Sequence, residues 1–251
     1  GSWGQRGGFY YPVKAKLPKY PHPKYPKLKR TWRDDLNGKY NLAGLSLANG
    51  FVDASTPTLE KPASLKGWIV NGTNLIHTLP EREKTLAAIN ALELMVVVDT
   101  MPMEITGYAD VVLPECTYLE RYDMIRVSQN REPNIALRMP AAEPKFDTKP
   151  AWWMAKQLAN RLGLKDYFPY EDVSELLDWQ LKQVGSSLEE MKQIGVKKFV
   201  REEDDMYPMT GLEDFEFNTN TGKIELYSTS LEEEGFDPMP QYTAHEEPQS
   251  G

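Results

Sequence analysis

The chain has 251 residues, with 29 lysines and arginines against 37 aspartates and glutamates, a formal net charge of −8, and 40% apolar residues. That length holds one large domain or two small ones, and the apolar share excludes an intrinsically disordered chain. A single cysteine, Cys116, and three scattered histidines, His22, His77 and His245, exclude an internal disulfide and any thiolate-rich zinc or iron–sulfur site held by this chain alone. The longest apolar run, Leu92–Val98, is broken by Glu93. It falls far short of the ~18 residues of a membrane span, so no direct membrane insertion is expected. The first residues also lack the basic-then-apolar pattern of a secretory signal.

Charge is unevenly placed. Residues 1–30 carry eight basic side chains and no acid, so the remaining 221 residues sum to −16. Pro12, Pro18, Pro21, Pro23 and Pro26 are interleaved there with Tyr10, Tyr11, Tyr20 and Tyr25. Proline fixes φ and lacks an amide donor, so residues 9–30 read as an extended strap, neither helix nor ladder strand. We read it as a basic strap along an acidic body, and expect no nucleic-acid partner. Gly1, Gly4, Gly7 and Gly8 read as a tight backbone turn.

Residues 1–62 have weak periodicity, with short apolar pieces at Tyr40–Leu47 and Phe51–Val52. From residue 63 to about 140 the pattern is α/β. Gly67–Asn71 is a buried strand entering an Asn-Gly turn, and Pro80–Leu92 is a helix with Pro80 in its first turn and Leu86, Ile89 and Leu92 on one face. Leu94–Val98 is a second strand, Ile105–Ala109 a short helix and Asp110–Pro114 a third strand. Such alternation predicts right-handed crossovers and a Rossmann-like parallel sheet with flanking helices. Two short strands are expected around the polar turn Gln129–Asn134. Residues 141–251 read as mainly helical: Trp152–Leu162, Val173–Val184 and Leu188–Ile194, the last closed by Gly195. A β-hairpin is expected across Asn218–Lys223, followed by an acidic, proline-punctuated tail.

In parallel sheets, ligands bind beyond the carboxyl ends of the strands. Those ends carry Gly72, Asn74, His77 and Thr78, then Asp99 and Thr100, then Pro114–Thr117. Asn74 and Thr78 offer donors and acceptors, and Asp99 can accept from a ribose hydroxyl or a guanine edge. Asp110 either contacts the same ligand or caps its strand. The set suits a nucleotide, and ordinary strand-to-helix turn chemistry remains the alternative, since neither GxGxxG nor a P-loop occurs. Cys116 reads as a buried spectator, and Glu115 and Glu120 as a solvated pair. No catalytic triad and no metal-ligand cluster emerges.

Several of these stretches together resemble a known family. Gly67–Asn74, then Met95–Asp99, then Ala109–Pro114 followed by Glu120 are similar to the molybdopterin oxidoreductase family, the dimethyl-sulfoxide-reductase-like group. The stretch YADVVLPECTYLERYD, the opening Gly1–Gly8 with its Pro/Tyr/Lys strap, NTNTGKIELYS at 218–228 and Asp237–Tyr242 resemble the catalytic subunits of polysulfide and thiosulfate reductases.

The resemblance implies an internal piece of a larger catalytic subunit. Its cofactor would be bis(molybdopterin guanine dinucleotide) carrying molybdenum or tungsten, with Gly72, Asn74, His77, Thr78, Asp99, Thr100 and Asp110 along one guanine dinucleotide moiety. No catalytic or metal-ligating residue is expected in this segment. A 4Fe-4S cluster is expected in the intact subunit, held outside these residues. Implied partners are an iron–sulfur electron-transfer subunit, a membrane anchor subunit and an inorganic sulfur substrate, at the periplasmic or outer face of the cytoplasmic membrane. Other readings are a non-catalytic family scaffold in a membrane quinol-oxidising complex and a simple nucleotide-binding α/β module.

Overall fold

A computed structural model describes residues 2–11, 13–14, 16–25, 50–207, 216–239 and 241–242. The apolar piece 40–47, the end of the strap from 26 to 30, Phe215 and the tail beyond 242 lie outside the described residues. The chain forms two compact units, residues 12–201 and residues 1–11 with 202–251.

The larger unit contains two sheets. Its three-stranded sheet is parallel and runs in the order β2 (Gly67–Asn71), β3 (Leu94–Asp99), β4 (Val111–Pro114). Between β2 and β3 come a one-turn helix, α2 (Leu75–Thr78), and the crossover helix α3 (Arg82–Ala91); a 3-10 turn, Glu104–Tyr108, leads into β4. This is the sheet the alternation predicts. Pro80 sits outside α3, whose preceding residue is Glu81 in the left-handed region at φ 58°. Alternation along the strands sorts the core. Trp68, Val70, Met95 and Val97 pack with Val52, Ile76, Ala88, Ile89 and Ile105, under α3 and α1 (Gly50–Ser55). The Trp68 Nε1–H donates to Ser55 Oγ at 2.8 Å, satisfying both groups inside that core. The opposite face, with Ile69, Val96 and Val111, looks across an apolar groove of about 440 Å³ toward Met154 and Leu158 of helix α4 (Ala151–Arg161).

The second sheet is antiparallel, in the order β1 (Val13–Lys14), β5 (Arg126–Asn130), β6 (Asn134–Ala136), β7 (Val196–Lys198). Strand β1 corrects the reading of 9–30 as free of ladder strand: Val13 and Lys14, a proline-free pair, bond to the edge of β5. Residues 16–25 carry no regular element. Leu17 and Tyr20 pack against the core of Ile125, Ile135, Leu177, Leu181 and Met191, and Tyr25 stacks on Tyr167 at 5.5 Å. That core lies under α5 (Val173–Lys182) and α6 (Leu188–Ile194). Asp172 accepts from Ser174 N at the start of α5, Ser187 accepts from Glu190 N at the start of α6, and Gly195 at φ 69° ends α6.

In the smaller unit, residues 2–9 form the tight turn that their glycines predict. Gly4 N donates to Phe9 O at 2.8 Å, Phe9 N donates to Ser2 O at 2.7 Å, and Trp3 stacks on Phe9. A Cβ on Gly8 would lie 2.0 Å from Ser2 O, so the turn admits no larger residue there. The unit also holds α7 (Glu203–Met206) and α8 (Thr229–Glu233). The expected hairpin across 218–223 is not formed among the described residues. Phe217 N donates once to Gly222 O, and the polar side chains then satisfy the backbone locally: Thr219 Oγ1 bonds Lys223 O, and Thr221 N bonds the Glu225 carboxylate. Local side-chain bonding has displaced the ladder.

Candidate functional site

Register decides which loops meet. Asn71 pairs with Val98 and Asp99 with Pro114, so β2, β3 and β4 end together. Gly72 N donates to Val98 O at 3.0 Å and Glu115 N to Asp99 O at 2.9 Å, closing the three strand ends into one rim. Gly72 has φ 64°, and a Cβ there would meet nothing, so the turn demands glycine through backbone conformation alone.

Two rim oxygens have no hydrogen-bond partner among the described residues. Asn74 precedes α2, and its carbonyl accepts from His77 N and Thr78 N, each at 3.0 Å; its side chain makes no cap bond, and Oδ1 is buried with no hydrogen-bond partner. Asp99 Oδ1 accepts from Thr100 N at 2.7 Å, whereas Oδ2 is likewise buried and without a partner. Buried polar atoms are normally satisfied, so a pair of acceptors left open at one sheet edge reads as a place for donors from a ligand. Gly72, Asn74, Asp99 and Thr100 lie at this one carboxyl edge of the sheet.

His77 and Thr78 belong to α2 beside the rim, both exposed. His77 Nε2 lies 2.9 Å from Glu104 Oε2, and Glu104 also takes a two-pronged contact from Arg82, whose second nitrogen is 3.2 Å away. The Arg82 guanidinium, with His77 as a smaller contributor, holds the Glu104 carboxyl below the usual carboxylate range. Arg82 and Glu104 were not singled out by the sequence, because residues 22 apart in different elements share no period.

Asp110 is not on this rim. Its side chain accepts from Met95 N at 2.7 Å, at the amino end of the sheet where β3 begins and β4 enters. It pins the entry of its own strand, which is the capping reading and not the ligand reading.

Glu115 also departs from expectation. It is 8% exposed, its Oε1 lying 2.5 Å from Arg121 and 3.1 Å from the Ala151 N–H that opens α4. Arg121 bonds Asp123 in turn, and Asp123 is paired with Arg138. Glu120 is half-buried, and its carboxyl is held below the usual range by the Thr117 and Lys145 amides. Cys116 is fully buried, and burial pushes its thiol up, as befits a spectator. Among the described residues, no group of three histidine, cysteine or acidic side chains is placed to hold a metal ion, and no helix is long and apolar enough to cross a membrane.

Comparison with known proteins sharpens this picture. The profile of the molybdopterin oxidoreductase family matches residues 40–161, the stretch that contains both strand-end turns. The thiosulfate reductase molybdopterin-containing subunit PhsA of Salmonella typhimurium is 31% identical over 78% of this chain and 28% of its own length. Acetylene hydratase of Syntrophotalea acetylenica is 27% identical over 79% of this chain and 26% of its own length. The solved structure of acetylene hydratase from Pelobacter acetylenicus superposes with a TM-score of 0.60 at 26% identity, covering 78% of this chain and 26% of that one. The chain thus spans about a quarter of the length of these relatives. Profile, relatives and solved structure agree with the residue pattern, and the chain belongs to the molybdopterin oxidoreductase family.

Proposed function

We propose that this chain is part of the catalytic subunit of a molybdopterin-dependent oxidoreductase acting on inorganic sulfur compounds of the polysulfide and thiosulfate class. In this reading its parallel sheet holds one guanine dinucleotide end of a bis(molybdopterin guanine dinucleotide) cofactor. The observation that carries it is the pair of open acceptors, Asn74 Oδ1 and Asp99 Oδ2, at one carboxyl edge. A guanine presents N–H donors on its N1/N2 edge, and a carboxylate or amide oxygen is the group that meets them. Gly72 and Thr100 frame the same edge, with His77 and Thr78 beside it on α2; Asp110 is left out. The bound metal and pterins supply the two-electron chemistry, and the residues here bind and orient the cofactor. The sulfur substrate is read from the likeness to PhsA and from the YADVVLPECTYLERYD stretch. In the same reading the whole subunit carries a 4Fe-4S cluster elsewhere. It would work with an iron–sulfur subunit and a membrane anchor at the periplasmic face of the membrane.

The test uses the intact subunit with Asp99→Ala. Guanine released on acid hydrolysis and metal content by mass spectrometry should both fall well below wild type, with an unchanged circular-dichroism spectrum. Wild-type guanine and metal content in that variant would sink the assignment. Thiosulfate and polysulfide reduction by the intact enzyme tests the substrate class separately.

A further inference from the structure

We propose that the outward face of the β5–β6 pair is a second binding site, where Arg126 and Arg138 hold a tetrahedral oxyanion, a phosphate group or a sulfate-like anion. The alternation of the strands makes the face. Ile125, Ile135 and Leu137 are 7%, 0% and 8% exposed and point into the core, so Arg126, Ala136 and Arg138 point the other way. Arg126 pairs with Ala136, which puts Arg138, two residues on, at the diagonal position within reach of long side chains. Small Ala136 leaves space between them, and the groove there measures about 480 Å³, lined by Asp123, Met124, Arg126, Ala136, Leu137 and Arg138.

The charges are not balanced. Arg138 is held by Asp123 and lies over the Tyr118 ring at 5.0 Å. Asp123 is shared with Arg121, which is itself bound to Glu115. Arg126 has no acceptor among the described residues. Three guanidiniums thus face two carboxylates, a local excess of positive charge on a chain whose net charge is −8. The ion-pair chain fixes Arg138 with respect to the carboxyl end of β4, whereas Arg126 is uncommitted. A planar guanidinium fork matches two oxygens of a tetrahedral anion, and two such forks on one groove match a dianion. The oxyanion has two possible sources, the phosphates of a dinucleotide cofactor or a free inorganic anion. The site itself uses neither Asn74 nor Asp99, so it stands apart from the rim.

The experiment uses the intact subunit as wild type, Arg126→Gln, Arg126→Lys and Arg138→Gln. Thiosulfate and inorganic phosphate are titrated calorimetrically in chloride buffer, and guanine released per protein is measured alongside. The exposed Arg126 side chain makes no hydrogen bond or ion pair among the described residues, so its variants should melt as wild type does. With a free anion as ligand, wild type titrates and Arg126→Gln weakens Kd by about tenfold or more at unchanged guanine content, with Arg126→Lys in between. With a cofactor phosphate as ligand, wild type takes up no added anion, and guanine content falls in Arg126→Gln and partly returns in Arg126→Lys. Unchanged Kd and guanine content in both glutamine variants would overturn the proposal. A wild-type subunit devoid of pterin would remove the proposed function, while the anion titration would still decide this site.

Discussion

Asp110 and Met95 are bonded to each other twice: Met95 N donates to Asp110 Oδ2 at 2.7 Å, and Asp110 N donates to Met95 O at 2.9 Å. Together the two bonds fasten the first residue before β4 to the start of β3, on the edge of the sheet opposite Gly72 and Asp99.

The pair gives a clean separation of structural from binding roles. Met95 is 1% exposed, so Asp110→Ala leaves a buried amide without an acceptor. The expected loss is about 1–3 kcal/mol in urea unfolding of the intact subunit. Asp110→Asn keeps an acceptor and should recover most of it. Guanine content per folded subunit should match wild type; a selective loss of cofactor would return Asp110 to the binding set.

Gly72 tests the rim turn by its backbone. Its φ of 64° is left-handed, and the space around a Cβ is open, so only conformation opposes substitution. Gly72→Ala should cost about 1–2 kcal/mol. Gly72→Asn should cost less, because asparagine enters that region more readily. Equal losses in the two variants, measured by denaturant midpoint, would mean that crowding and not φ sets the requirement.

Arg121 is the hinge of the ion-pair chain. Removing it by Arg121→Ala leaves Glu115 buried without its cation, at a cost of about 3 kcal/mol. Cys116 reports the result, because Arg121 also donates to the Cys116 carbonyl at 2.8 Å. Native wild type should resist maleimide labelling at Cys116, and Arg121→Ala should label measurably faster. A variant as inert as wild type would place the network outside the stability of this turn.

Asp178 supplies a pH dependence. The Leu188 amide, then the Lys182 ammonium, hold its carboxyl below the usual aspartate range. A carboxyl lowered in the folded state contributes stability that is present above its unfolded pKa of about 3.9 and is lost as pH falls through the lower folded value. Asp178→Asn should therefore cost about 1 kcal/mol at pH 7, with the difference from wild type vanishing in strong acid. A difference that is constant from pH 7 to pH 2 would remove the charge from the explanation.

Strand, helix and turn positions in residues 67–114 were legible because each element there answers to a local rule. Apolar runs bounded by Asn-Gly, Asp and Pro mark β2, β3 and β4, and the length of the connection leaves a parallel crossover as the workable join. The same holds for α4, α5 and α6, whose stripes and terminal signals are contained in eleven residues or fewer. The strand-end rim followed from topology, and Gly72, Asn74, Asp99 and Thr100 followed from the rim. What the chain order could not supply was the partner of each polar side chain. Asp110 has an acceptor's chemistry wherever it stands, and only the register of β3 against β4 put it at the amino edge with Met95. Glu115 looked like a solvated acid until Arg121 and the start of α4 closed over it. The stretches flanking 218–223 alternate like a hairpin, yet Thr219 and the Glu225 carboxylate satisfied the backbone first. Periodicity is a property of one stretch and is written in it. Pairing of charges and burial of polar atoms depend on which distant stretch arrives, and that is settled by packing.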